Sequence, residues 1–388
     1  RGRVHAISTL KGLVADLRYS TLAMINTKEF EQRLKDMSAE DLDALMQRMG
    51  EPFDRFANAL AKGSIKELAP PFGDYQSFQG GLLEYYEEFF LRYRQYLDDI
   101  DDNTWTFVNL AMSAFIEHHR GLKVAFNLVN EYDRVTDGII RSLRAYLNGL
   151  PNVAYNSLEE VFVEKNRHLL NTLPQIQYQG ALYRVRGERN LTKQQELFHT
   201  PFEQRNCCGS YRYSVLGYPS LYLAGSLATS LAECRIDNND YSAACFTSVE
   251  PLSCADLSLP YYDLSFWERY SLVLFYPLIF ACGLKVKDEK KPFKPEYVIP
   301  QILFQLISEK SNLMGVSYTS TRMEHVDFRN HKQRNFVLIV PSADQSHGQS
   351  KELAEKLTCT IPMSPEDGES SLVVERKLNR MKPMKISV

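Results

Sequence analysis

The sequence predicts an α+β protein, with an all-helical N-terminal domain followed by a mixed α/β domain. Three observations carry this. Apolar residues recur three and four apart from residue 7 to about 170, and short apolar runs bounded by Gly and Pro begin after Pro174. At 388 residues, the chain also exceeds the length at which one core is usual. The boundary falls in "NTLPQIQYQG" (171–180), where a helical pattern stops and Pro and Gly enter. This gives a helical domain over 1–172 and a second domain over 173–388.

In the helical half, "EFEQRLKDMSAEDLDALMQRM" (29–49) has helical spacing, and Ser38 with Asp41 forms a helix start. The segments 80–102 and 103–147 continue the pattern. Tyr85, Tyr86, Phe89, Phe90, Tyr93 and Tyr96 make a helical aromatic stripe; the acidic residues between them favour packing over nucleic-acid stacking. "DDIDDN" (98–103) lacks the Gly and closing Glu of a calcium loop and reads as a charged helix end. His118 and His119 point to different sides of a helix, without the four-residue spacing of a zinc helix.

In the second half, strands are expected at 181–186, 220–225, 243–249, 315–320 and 336–342, and helices at about 226–236, 264–281 and 296–310. The apolar run Leu272–Leu284 contains a Pro and falls short of the roughly 20 residues that span a bilayer, so it reads as a buried core helix. The stretches 285–296 and 364–371 read as charged surface loops, and the basic tail "ERKLNRMKPMKISV" as a solvated end.

A net charge of -3 gives no global attraction to a phosphate backbone, so nucleic acid is not an expected partner. The seven cysteines show no CxxC pairing or Cys/His ladder; reduced thiols and a cytoplasmic setting follow, with no metal expected. The first twenty residues alternate charged and apolar groups and lack a signal-peptide core.

The chemistry concentrates in "GSYRYSVLGYPSLYLAGSLATSLAECR" (209–235). Ser226 is a good N-cap for "LATSLAECR", and Ser226, Ser230 and Glu233 share a small polar face. From this helix alone, Glu233 reads as a surface glutamate paired with a neighbouring base. The surrounding residues open a second reading. Arginine offers a planar fork matched to pyrophosphate, and tyrosines offer faces for a flat ring. A lone carboxylate stabilises the cation formed when a glycosidic bond breaks. Together these describe a site for cleaving the N-glycosidic bond of a dinucleotide such as NAD. No GxGxxG turn supports hydride transfer instead.

The run "LYRVR" (182–186), "YRYSVLGYPSLYLAGSLATSLAE" (211–233), "EYVIPQILFQLI" (296–307) and "GVSYTSTR" (315–322) resembles the RES domain, named for its Arg, Glu and Ser, across about 178–341. The resemblance implies an ADP-ribosyltransferase-like fold and a toxin or effector that consumes NAD, as glycohydrolase or phosphorylase. The alternative it implies is a mono-ADP-ribosyltransferase acting on a protein target; a non-catalytic scaffold is a third. An antitoxin or immunity protein is the implied partner. Carried over by position, the family's Arg falls on Arg212, its Glu on Glu233 and its Ser on Ser320, the catalytic set. Arg184, Arg212, Tyr213, Tyr222, Ser226 and Ser320 would bind NAD. At most one of Arg184 and Arg186 is expected to line the cleft: if Arg184 does, Arg186 lies outside it. Tyr211 and Ser214 stand where the family has Gly and Asn, and 237–295 is a longer insert than a compact RES toxin needs. The helical half is expected to regulate, target or deliver, contributing no catalytic group.

Overall fold

The computed structural model describes residues 37–388 apart from 39–40, 42–43, 46–49, 71, 73–74, 76, 121–125, 164–168, 261, 324–325, 328 and 343–344. The expected helix over 29–49 lies largely outside the described residues, as do the side chains of His118 and His119. Its inner start is visible: Ser38 Oγ accepts from the Asp41 backbone N–H at 3.1 Å.

The helical spacing of the first half resolves into α1 (Glu51–Ala61), α2 (Leu82–Asp98), α3 (Asp102–Arg120), α4 (Leu128–Leu147) and α5 (Pro151–Phe162). "DDIDDN" is a helix end, and Asp101 starts α3 by accepting from the Thr104 N–H at 3.0 Å and from its hydroxyl at 2.7 Å. Tyr85, Tyr86, Phe89, Phe90 and Tyr93 form the buried face of α2, as the stripe predicts.

The second half alternates strands and helices: β1 (Gln175–Tyr178), β2 (Leu182–Arg186), β3 (Leu221–Ala224), α6 (Leu227–Cys234), β4 (Ser242–Ser248) and β5 (Leu252–Asp256). There follow α7 (Phe266–Gly283), α8 (Val298–Lys310), β6 (Gly315–Thr319), β7 (Arg334–Leu338), α9 (Lys351–Lys356), β8 (Leu357–Cys359), α10 (Ser371–Arg380) and β9 (Met384–Lys385). Among the described residues nine strands form one mixed sheet in the order β1-β5-β6-β7-β3-β2-β4-β8-β9. Only the β5–β6 pair is parallel. The architecture is therefore α+β, as predicted.

Within the segment 171–180, β1 opens the second half and pairs with β5 at the sheet edge. One reading needs correction. The basic tail is not a solvated end. Val374 and Leu378 of α10 are buried against Tyr183 of β2 and Leu227 of α6, and β9 extends the sheet. Its charges lie on one side of a short helix whose sparse apolar residues, three to four apart, are enough to dock it.

The helix α7 organises the core. It is apolar nearly all round and buried from Arg269 to Cys282, which matches the expected core helix. Pro277 has no N–H, so the Val273 carbonyl one turn earlier loses its helical donor. The Tyr93 hydroxyl of α2 donates to that carbonyl at 2.8 Å, and the Tyr86 hydroxyl donates to the Ala281 carbonyl at 3.3 Å. The Phe89 and Phe280 rings stack with centroids 3.7 Å apart. One hydrophobic cluster runs from Phe53 and Tyr93 through α7 and α8 to Val316 and Val337 on the sheet. The opposite sheet face, with Phe336 and Leu338, packs under Leu353 and Leu357.

No helix among the described residues is long and apolar enough to cross a membrane. All seven cysteines are free thiols.

Candidate active site

The adjacent strands β6, β7 and β3 bring functional side chains to one end of the sheet. Ala224 at the end of β3 pairs with Asn335 near the start of β7, and Thr319 at the end of β6 pairs with Arg334. The chain leaves β3 through Gly225, where an added Cβ would sit 2.6 Å from the His331 carbonyl oxygen, so glycine lets α6 start tight against the β7 approach. Ser226 then caps α6 by accepting from the Thr229 N–H at 3.2 Å. The Glu375 carboxylate of α10 accepts from the Leu227 N–H at 2.8 Å, satisfying another unpaired donor of the first turn. The misread tail thus helps anchor the helix that carries Glu233.

Glu233 is held in place from both sides. Ser320 Oγ donates to Oε1 at 2.5 Å, and Asn335 Nδ2 donates to the same oxygen at 2.7 Å. Arg322 Nε lies 3.3 Å from Oε2. Ser320 is fully buried, and its hydroxyl also accepts from the Arg322 backbone N–H at 3.2 Å. The surface base anticipated for Glu233 is thus Arg322, but the carboxylate also faces a cleft of about 480 Å³.

The cleft is lined by Arg184 from β2, Tyr222 from β3, Ser230 and Glu233 from α6, and Arg212 and Tyr211 from the loop before β3. Arg184 donates to the Tyr222 carbonyl at 3.2 Å, and burial lowers its pKa from the usual arginine value. Among the described residues it has no carboxylate partner. Arg186, two residues further along β2 on the same strand face, lies at the strand end, is exposed and donates to the Glu196 carbonyl at 2.9 Å.

Arg212 is 7% exposed. Its Nη1 donates to the Cys282 carbonyl at 2.9 Å, in the last turn of α7, and its Nη2 to Thr321 Oγ1 at 3.4 Å. A cation at a helix C-terminus satisfies an orphan carbonyl and complements the helix dipole. The guanidinium also lies over the Tyr297 ring, 5.1 Å from its centroid. Burial acts to lower its pKa, while the Tyr297, Tyr213 and Tyr318 phenols and Glu233 act to raise it; the balance is upward. Gln301 fixes the loop that carries Arg212: its amide donates to Ser210 Oγ and to the Tyr211 carbonyl at 2.9 Å, and to the Ser214 carbonyl at 3.2 Å.

Of the residues expected from sequence, Arg184, Arg212, Tyr222 and Glu233 meet at the cleft, with Ser320 directly behind Glu233. Two do not line it. The Tyr213 ring is turned into the core, with its centroid 4.8 Å from that of Tyr318, and Ser226 is spent on the α6 cap. Tyr222 reaches inward with its hydroxyl, which bonds Ser214 Oγ at 2.7 Å and accepts from the Tyr213 N–H at 3.2 Å; burial pushes its pKa up. Asn335, Arg322, Gln301 and Glu289 were not anticipated. The only sequence signal for any of them is the Tyr297/Gln301 spacing in "EYVIPQ" and the nearness of Arg322 to Ser320.

No protein-family profile and no solved structure matches this chain. A protein of Bacillus subtilis (strain 168) named "Putative toxin YopC" is 26% identical over 283 residues, a match covering 64% of this chain and 64% of that protein. The chain thus spans somewhat less than two thirds of the length of the relative it matches.

Proposed function

We propose that this chain is an NAD-consuming enzyme that breaks the nicotinamide–ribose N-glycosidic bond, acting as a toxin or effector. The observation that carries the reading is Glu233: a carboxylate oriented through one oxygen by two neutral donors, Ser320 and Asn335, beside a cleft lined by arginines and tyrosines. Neutral donors orient a carboxylate without cancelling its charge. That is what stabilisation of a developing oxocarbenium ion requires.

In the proposed reaction the C1′–N bond breaks heterolytically, and its electron pair goes to the ring nitrogen, so the pyridinium leaves as neutral nicotinamide. The positive charge passes to the ribose as an oxocarbenium ion, which Glu233 faces. Water adds to C1′ and releases a proton, giving ADP-ribose; phosphate in place of water would give the phosphorylated sugar. Arg212 and Arg184 supply positive charge for the pyrophosphate, and Tyr211 and Tyr222 supply ring faces. The similarity to a protein named as a toxin supports the toxin part of the reading. A chain that depletes NAD must be restrained in the cell that makes it, so an antitoxin or immunity protein belongs to the proposal.

The test is the purified chain with NAD alone, with and without inorganic phosphate, followed by chromatography of the products. Free nicotinamide with ADP-ribose, or with its phosphorylated form, is the expected result. Nicotinamide release only when a protein acceptor is added would replace this reading with protein ADP-ribosylation. No release under any of these conditions would leave a non-catalytic scaffold.

A further inference from the structure

We infer that Arg322 is a specificity-determining latch: it neutralises Glu233 while the cleft is empty and is drawn off by the phosphates of a dinucleotide, so that only a phosphate-bearing substrate meets a bare carboxylate. The inference rests on the functional reading above and extends it to substrate selection.

The two oxygens of Glu233 are treated differently. Oε1 takes the two neutral donors, whereas Oε2 faces the Arg322 guanidinium at 3.3 Å. A cation on that oxygen opposes the positive charge that glycosidic cleavage generates, so the observed pairing is wrong for the transition state. It is right for a resting state, because it compensates a carboxylate that is only 27% exposed. Arg322 is also positioned to leave. Its own side chain is 25% exposed, so the pair is partly screened and readily exchanged.

The second partner of Arg322 is Glu289, at 3.3 Å, on the charged loop after α7. Glu289 is in turn paired with Arg235 at 2.8 Å. When Arg322 departs, Glu289 therefore keeps a cation and Glu233 alone is bared. Arg235 holds that place from the left-handed conformation, φ 54°, in which a non-glycine residue ends α6 directly after Glu233 and Cys234.

The other arginines of the cleft are less able to travel. Arg212 is buried and tied to Cys282 and Thr321, and Arg184 is half-buried on β2 and tied to the Tyr222 carbonyl. A pyrophosphate entering beside them offers Arg322 a bidentate, charge-assisted partner better than its shared carboxylates. A nicotinamide nucleoside without phosphate offers nothing and leaves the latch closed. This couples recognition of a remote, non-reacting part of the substrate to exposure of the reacting-centre carboxylate.

The test compares nicotinamide release from NAD and from nicotinamide riboside by the full chain and its Arg322→Gln and Arg322→Lys variants, beside calorimetric titration with inorganic pyrophosphate. Thermal unfolding first establishes that each variant is folded. Arg322→Gln should lower the ratio of kcat/KM for NAD to that for the riboside by about 10- to 100-fold, with the riboside rate rising. It should weaken pyrophosphate binding about tenfold or more, and Arg322→Lys should restore part of both. A ratio that stays at the parent value, or pyrophosphate binding that is unchanged, overturns the latch. If the parent chain releases no nicotinamide from NAD, the functional reading fails, and the titration alone decides: a tenfold loss in Arg322→Gln sustains phosphate capture, and no loss overturns it.

Discussion

Glu233 and Arg212 should fail in different ways when altered. Glu233→Gln keeps the size and hydrogen bonding of the side chain and removes its charge, so substrate binding should hold while nicotinamide release falls about 100- to 1,000-fold. Equal turnover by the variant would show that the carboxylate is not the reacting group. Ser320→Ala should cost less, since Asn335 still holds the same oxygen. Arg212→Ala should weaken NAD binding by about 1.5 to 3 kcal/mol. It should also lower stability, because the Cys282 carbonyl loses its buried donor. Calorimetry and urea unfolding separate the two effects. His199 offers a pH test away from the cleft. It is fully buried, with Nδ1 bonded to the Thr200 carbonyl and Nε2 accepting from the Ser350 N–H, a pattern that requires the neutral ring. Burial lowers its pKa to about 4 from 6.5, against the Thr200 bond, which raises it; the charge of Arg184 adds a lesser lowering. The unfolded chain therefore binds the extra proton between these values. The neutral-ring stability is complete above pH 6.5 and is lost as pH falls towards 4, by about 3 kcal/mol in all. Urea midpoints for His199→Gln should vary less than the parent's across that window; parallel curves would exclude His199 as the source.

At the scale of elements, the site depends on how α6 and the Arg212 loop are fastened, and this is where sequence reading reached furthest and then stopped. The strands β2, β3, β4, β6 and β7 were legible because they are apolar runs of four to seven residues, most of them flanked by Gly, Pro or a loop. β8 and β9 are too short to carry a period, and β1 is a strand only because β5 lies beside it. The order of their motifs pointed to Arg184, Arg212, Tyr222, Glu233 and Ser320, which the fold brings to the cleft or, for Ser320, directly behind Glu233. Tyr213 neighbours Arg212 in sequence, yet its ring packs on Tyr318 in the core. Asn335 and Glu375 stayed hidden because their partners are 102 and 148 residues away. The Glu375 contact makes a direct prediction. Glu375→Ala removes an acceptor from the first turn of α6 and should cost about 1 kcal/mol in urea unfolding, with a fall in kcat as Glu233 loses its fixed approach. Unchanged stability and turnover would mean that Ser226 alone suffices as the cap. Gln301→Leu should act on the other fastening, raising KM by releasing the loop that aims Arg212. An unchanged KM would show that the loop holds itself.

Across the whole molecule, the described residues of the helical half stay outside the cleft, whose described lining begins at Arg184. Their influence runs through α7. Tyr93 fills the carbonyl left open by Pro277, Tyr86 bonds Ala281 in the final turn, and the next carbonyl, that of Cys282, receives Arg212. The aromatic face of α2 thus fixes the rotation and the end of the helix on which Arg212 rests. A fragment of residues 173–388 would expose the buried side of α7, including Phe280 and Tyr276, to water. It should therefore bind an apolar dye, unfold without a sharp transition and retain little NAD affinity, because a mobile α7 no longer presents the Cys282 carbonyl at a fixed place. Adding residues 1–172 as a separate chain should restore cooperative unfolding and part of the affinity, since the interface is apolar and complementary. A milder version keeps the chain whole: Tyr93→Phe leaves the Val273 carbonyl without its donor and should cost about 1 to 3 kcal/mol. If the fragment alone is folded, monodisperse and as active as the full chain, then the α2–α7 contact has no part in the site, and the first half serves delivery or targeting only.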